Sequence, residues 1–143
     1  MAGLWVLLGT LVLGLLAGAV LRARNGKVRA ARPAAPSRAL PAPVAEALEP
    51  ATAVTLVQIS TTFCAPCRHT RAVLSALADS TDGLRHVDID VTDQPDVAKE
   101  LGVLRTPTTL ALASDGRELL RVGGVPKGAT LLEALRPHLS PVR

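Results

Sequence analysis

The sequence predicts an α/β domain, a central mixed sheet flanked by helices, preceded by one N-terminal transmembrane helix. Three observations carry this. From about Val44, apolar β-branched runs alternate with runs at helical spacing, in the order β-α-β-α-β-β-α. Ahead of them, Ala2 to Leu21 contains no charge at all. Between the two lies a stretch punctuated by Pro33, Pro36, Pro41 and Pro43, residues that cannot build a helix interior or a central strand.

Residues 1–22 read as an anchor. As a helix, the uncharged run reaches about 30 Å, the thickness of the hydrocarbon core. A helix also satisfies its own backbone polar groups, so it can sit in lipid. Its one hydroxyl is Thr10, and Gly14 and Gly18 form a GxxxG spacing that offers a close-packing face. A cleaved signal peptide competes for the same segment, but it needs a basic start and a small-residue cleavage site. Met1-Ala2-Gly3 is not basic, and Arg22 and Arg24 follow the run at once, so an uncleaved single-pass anchor fits better. The positive-inside rule places the arginine side, and with it the catalytic domain, in the cytoplasm; an extracytoplasmic domain is the alternative.

Charge divides along the chain. Residues 1–43 carry Arg22, Arg24, Lys27, Arg29, Arg32 and Arg38 and no acid, whereas 44–143 hold the other ten basic residues and all twelve acids. The high pI of 9.8 therefore reports a basic neck. A nucleic-acid surface needs basic residues over a folded face, with aromatics to stack on. The only aromatics are Trp5 and Phe63, so no nucleic-acid partner is expected and the core must be Leu, Val, Ile and Ala. Residues 23–43 read as a basic, proline-containing linker whose start lies against lipid headgroups.

Within the domain, residues 44–143, Val44 to Leu48 forms a short helical piece and Ala53 to Ser60 a buried strand. Pro66 to Ala78 places Ala72, Val73, Leu74, Leu77 and Ala78 at helical spacing. Leu84 to Val91 alternates as a strand, and Asp96 to Leu101 is a short helix closed by Gly102. Thr108 to Ala113 and Glu118 to Val122 are strands joined by a turn at Asp115-Gly116. Lys127 to Leu139 is an amphipathic helix whose end Pro137 shortens or distorts. Right-handed crossovers would make the first three strands parallel, with the hairpin adding an antiparallel edge.

The two cysteines stand three apart, in Phe63-Cys64-Ala65-Pro66-Cys67, where the first strong strand gives way to the first long helix. This pair is too close to staple distant parts of a fold. At that junction the Cys64 sulfur meets the free N–H groups and positive dipole end of the helix, which favours thiolate. Pro66 is tolerated because the first turn has no N–H bond to lose. Cys67, one turn deeper, can close a small ring with Cys64. Cys64 is thus the candidate catalytic nucleophile and Cys67 the candidate resolving thiol. Two other readings stand beside this one: a structural pair without turnover, and a zinc site. Zinc needs four ligands, only two cysteines exist, and His69, His86 and His138 would have to complete the site from separate elements, so no metal is expected. His69 reads as a surface residue, His86 as a strand residue without function, and Asp88 and Asp90 as solvating and capping groups.

Here the chain resembles the thioredoxin family. The resemblance rests on Cys64-Ala-Pro-Cys67 after a buried strand, Asp88-Ile-Asp90 at a strand end, and Leu101-Gly-Val103 before Arg105-Thr-Pro107-Thr. The hairpin and the Val122-Gly-Gly124 turn into a last helix complete it, over roughly residues 44–140. Together with the apolar N-terminus, it is similar to the membrane-anchored bacterial members of that family. The resemblance implies a thioredoxin-like fold and dithiol–disulfide exchange on membrane-proximal proteins, with no cofactor. It implies Pro107 as the family's cis-proline, packed against the redox pair. Substrate contact would fall on Phe63, Ala65, Pro66, Thr106 and Pro107, with the backbone of Thr106 pairing to an extended segment. Partners would be proteins with thiols or disulfides, a reductant or oxidant, and the membrane through residues 2–21. The departures are specific. Gln58 stands where the family has a buried aspartate that helps deprotonate the second cysteine, which makes Gln58 a candidate tuning residue. Ser60 and Phe63 hold positions usually given to tryptophan, the middle dipeptide is Ala-Pro for Gly-Pro, and the family's first strand is missing or replaced by linker. These leave a second reading, a non-catalytic peptide-docking module built on Thr106 and Pro107.

Overall fold

The computed structural model describes residues 2–31 and 39–139. In chain order they form α1 (Ala2–Arg24), β1 (Val28–Ala30), α2 (Ala42–Glu46), β2 (Val54–Ser60), α3 (Ala65–Asp79), β3 (Leu84–Asp90), α4 (Pro95–Glu100), β4 (Thr108–Ala113), β5 (Glu118–Gly123) and α5 (Gly128–Leu139). The strands make one sheet in the order β1-β5-β4-β2-β3.

Every residue of β2 is buried, the polar Thr55, Gln58 and Ser60 along with the apolar four. Successive side chains of a strand point to opposite faces. Val54 and Leu56 join Leu74, Leu131 and Leu135 in one cluster, beneath α3 and α5. Val57 and Ile59 join Val44, Val97, Leu110 and Leu112 in another, beneath α2 and α4. The sheet is therefore covered on both faces, as the alternating pattern predicts.

Two expectations about the sheet are corrected. β2 and β3 are parallel, from Val54 opposite Leu84 to Ser60 opposite Asp90, but β4 runs antiparallel to β2, with Thr108 opposite Ile59. The reason is length: a six-residue α4 spans about 9 Å, under half of the roughly 23 Å of a seven-residue strand, so it does not carry the chain back along the sheet. The chain instead enters β4 at the end where β2 and β3 finish. Nor is the hairpin an edge. Val28–Ala30 pairs antiparallel with β5, Val28 opposite Val122 and Ala30 opposite Leu120, and covers its outer side. The outer side of β3 has no strand partner among the described residues, in keeping with the missing first strand.

β1 lies inside the stretch expected to be linker. Of residues 23–43, α1 takes the first two and α2 the last two, and Pro33 and Pro36 lie outside the described residues. The junction between α1 and the sheet is short and built. The Gly26 N–H donates to the Gly123 carbonyl at 2.9 Å, and the Ala31 N–H to Leu119 at 3.0 Å. Gly26 and Gly124 have φ of 71° and 88°. A Cβ on Gly26 would run into the Val125 carbonyl, and one on Gly124 into the Asn25 side-chain amide. Gly26 thus lets its backbone come close to that of Val125, and Gly124 makes room for the Asn25 side chain. By contrast, no residue of α1 is buried, and the helix has no charge on any side from Ala2 to Leu21. α5 continues two residues past Pro137, whose missing N–H weakens only the last turn.

If Gly26 closes this junction, Gly26→Val should free β1. We expect hydrogen exchange at Ala31 to rise at least about tenfold while Leu110, in the buried centre of the sheet, keeps its protection; unchanged exchange at Ala31 would refute the assignment.

Candidate active site

β2 ends at Ser60, and four residues later Cys64 caps α3. Its backbone is extended, at φ −101° and ψ 99°, and its sulfur accepts the Cys67 N–H at 3.2 Å. That is the contact expected of a sulfur set on free helix donors. Cys64 and Cys67 are joined as a disulfide, their Cα atoms 5.2 Å apart. Cys64 is half-buried, and Cys67, one turn in, is 2% exposed. Ala65 and Pro66 are exposed beside them, and Phe63 is 98% exposed.

The connection from β2 to Cys64 is held by hydrogen bonds that the acids at the end of β3 supply. Asp88 accepts from Ser60 Oγ at 2.6 Å and from Arg71 Nε at 2.7 Å. Asp90 accepts from the Thr92 N–H at 2.8 Å and from the Thr62 hydroxyl at 3.2 Å. These bonds, chiefly those from Thr92, hold its carboxyl below the ordinary aspartate range. The Thr62 N–H in turn donates to Thr92 Oγ1 at 2.9 Å. Asp90 therefore caps the Thr92 N–H as read from sequence, whereas Asp88 neither caps a backbone group nor faces open solvent but ties Ser60 to Arg71.

Across the sheet end lies Arg105-Thr106-Pro107. The Thr106–Pro107 peptide bond is cis, and Pro107 is buried. The Thr106 hydroxyl is 3.3 Å from that of Thr61 and joins this loop to the one leading to Cys64. The Pro107 carbonyl accepts the Gly124 N–H at 2.7 Å, and Arg105 donates to the Gly123 carbonyl at 3.1 Å. Leu104 is 98% exposed on the same loop.

Behind the disulfide, Gln58 is fully buried and makes two hydrogen bonds. Its Nε2 donates to the Cys67 carbonyl at 2.9 Å, an orientation the carbonyl imposes because it can only accept. Oε1 must then face His86 Nε2, 3.1 Å away, which has to carry the proton. The Nδ1 of a neutral His86 is left to accept from Ser75 Oγ at 3.1 Å. Each bond determines the next, from the redox helix through the sheet and back to α3. Burial lowers the pKa of His86 below its ordinary 6.5; Asp88 opposes this and Arg71 adds to it. A shallow pocket lined by Ser75, Asp79, Arg85 and His86 lies beside this network.

His69 and His138 are exposed on α3 and α5, away from His86 on β3. Among the described residues no three His, Cys, Asp or Glu side chains converge where they could hold an ion.

A family model described as Thioredoxin matches residues 42–137. The chain belongs to the thioredoxin family. A thioredoxin of Staphylococcus saprophyticus is 33% identical over 87 residues, 60% of this chain and 83% of that protein. Thioredoxin H2 of Arabidopsis thaliana is 38% identical over 72 residues, 50% of this chain and 53% of the relative, so the chain spans about half of that relative's length. Among solved structures, a thioredoxin from Nicotiana alata superposes with a TM-score of 0.56 at 28% identity, covering 77% of this chain and all of that one.

Against the thioredoxin pattern, Gln58 replaces the buried acid, and it reaches the backbone of the second cysteine rather than its sulfur. The structure also adds His86 and Ser75, which the sequence reading left without a role. Gln58 and His86 come from adjacent strands on one face, a juxtaposition set by the parallel register that pairs Leu56 with His86.

The lowered His86 pKa has a sign. Above about 6.5 both folded and unfolded His86 are neutral; below it the unfolded chain takes up a proton that the folded chain resists. The stabilising contribution is thus present above 6.5 and is lost as pH falls through the lower folded value. Urea midpoints measured from about pH 7 to about pH 5 should fall more steeply for the native chain than for His86→Gln. Parallel curves would mean that burial of the neutral ring does not matter.

Proposed function

We propose that this chain is a thiol–disulfide oxidoreductase, anchored by α1, that exchanges disulfides with membrane-proximal proteins. The observation that carries the reading is the asymmetry of the pair: a half-exposed Cys64 capping α3, and a buried Cys67 within bonding reach. The cap favours the Cys64 thiolate by an amount on the order of 0.3–1 kcal/mol at an exposed helix end, more where partly buried.

In the reduced chain, the Cys64 thiolate attacks one sulfur of a substrate disulfide. An S–S bond forms between Cys64 and substrate, and the other substrate sulfur leaves as a thiolate that takes a proton from solvent. Cys67, after losing its proton to solvent, attacks the Cys64 sulfur and expels the second substrate thiolate. Two electrons have passed to the substrate, and the chain holds the Cys64–Cys67 disulfide. A partner dithiol restores the reduced pair by the same steps, and with the opposite driving force the cycle oxidises substrates. No metal or organic cofactor enters. Thr106 and Pro107 would hold the substrate segment extended, with Phe63, Ala65 and Pro66 beside the reacting sulfur. Gln58, which carries no charge to exchange, would set the position of Cys67 through its carbonyl.

Support for the anchor comes from α1, which carries no charge on any side from Ala2 to Leu21 yet has no buried residue; a helix of that kind needs lipid or another protein to cover it. Following the positive-inside rule, the domain lies in the cytoplasm.

Two measurements test this. Cys67→Ser, reduced and mixed with cellular membranes, should accumulate disulfide-linked partners through Cys64, and Cys64→Ser should lose them. In the reduced native chain, Cys64 should alkylate at about pH 6 roughly ten times faster than free cysteine, because its thiolate fraction is raised. No trapped partner together with a sluggish Cys64 would favour the peptide-docking module instead.

A further inference from the structure

We propose that the junction at Asn25-Gly26 holds the redox site at the headgroup layer of the bilayer. Its substrates would then be cystines within the first few residues outside a membrane span of another protein. This rests on the oxidoreductase reading above and narrows it to a substrate class.

The topology places the anchor and the site at one end of the sheet. β2 finishes there at Ser60, β4 begins there at Thr108, β5 finishes there at Gly123, and β1 begins there at Val28. The chain therefore leaves α1 at the end that carries Cys64 and Pro107. From β1 to β2 is three strand steps, about 14 Å.

The vertical distance is equally short. Leu21 ends the apolar run, and α1 stays helical to Arg24. Three helical residues add about 4.5 Å and two more at most about 7 Å, so Gly26 lies within roughly 12 Å of the hydrocarbon edge. Headgroups occupy about 5–7 Å of that. From Gly26 the path to the site is two hydrogen bonds and one peptide: Gly26 N–H to the Gly123 carbonyl, then Gly124 N–H to the Pro107 carbonyl. A flexible neck over 23–43 would let the domain range roughly 25 Å from its anchor; the docked glycines remove that slack. What the site shows at this end suits the occupant: Phe63, next to Cys64, and Leu104, on the loop that leads to Pro107, are exposed apolar side chains, and Arg22, Arg24 and Lys27 border the anchor where anionic headgroups lie.

The test uses full-length Cys67→Ser, reduced, in vesicles of phosphatidylcholine with a minor share of phosphatidylglycerol. Single-span target peptides carry one cysteine capped as a mixed disulfide with thionitrobenzoate, placed either about two residues beyond the span or about fifteen residues beyond it on a proline-rich spacer. The Cys64 thiolate attacks the peptide sulfur, an S–S bond forms between them, and the coloured thionitrobenzoate anion leaves with the electron pair. Release from the near cysteine should be at least about tenfold faster than from the far one. A twelve-residue Gly-Ser insertion between Arg24 and Asn25 should bring the two rates within about twofold of each other. The rate on a soluble capped peptide should be the same with and without the insertion. Equal near and far rates in the uninserted chain, or a preference that survives the insertion, overturn the inference. Failure to release the anion even from the soluble peptide would instead overturn the oxidoreductase reading, and this inference with it.

Discussion

β2 is the constraint on which the rest depends. It is bonded to β3 on one side and β4 on the other, and buried on both faces, so no backbone group in it is free to choose another partner. Slipping it by one residue would exchange the two core clusters and leave Gln58 facing the wrong layer. Because it cannot slip, its last residue delivers Cys64 to a set place above α3, and its antiparallel neighbour starts with the cis-proline loop at the same level. The site is the end of this strand continued by four residues.

The same rigidity gives meaning to a neutral side chain in a position the family gives to an acid. A buried carboxylate would cost several kcal/mol to desolvate and would exchange a proton with the cysteine pair. Gln58 avoids that cost and spends both ends of its amide on fixed partners, the Cys67 carbonyl and His86. Losing either partner would strand a buried polar group at about 1–3 kcal/mol, so the network holds Cys67 by its backbone with an energy comparable to a good helix cap. The titratable member of this network is the His86 imidazole, one strand over from Gln58.

At the far side of the sheet, a three-residue strand does two jobs. It closes the open edge of β5, which would otherwise offer unpaired N–H and C=O groups to another chain. It also fixes where the apolar helix leaves the domain, through Gly26, where a Cβ would run into the Val125 carbonyl. Edge protection and the exit of the apolar helix are thus one piece of backbone.

Composition and spacing by themselves determined that the chain holds an α/β domain, that a helix with a long uncharged run precedes it, and that two cysteines sit where a strand passes into a helix. These are local facts: strand and helix periods, the length of an apolar run, and the tolerance of a first helical turn for proline. Tertiary structure alone decided the rest. The direction of β4 followed from how little distance α4 can cover. Pairing of Val28–Ala30 was hidden because three residues carry no readable period, and the neighbouring prolines argued for a linker. The partnership of Gln58, His86 and Ser75 depends on strand register and on the seat of α3, quantities that appear only when residues far apart in sequence share one face.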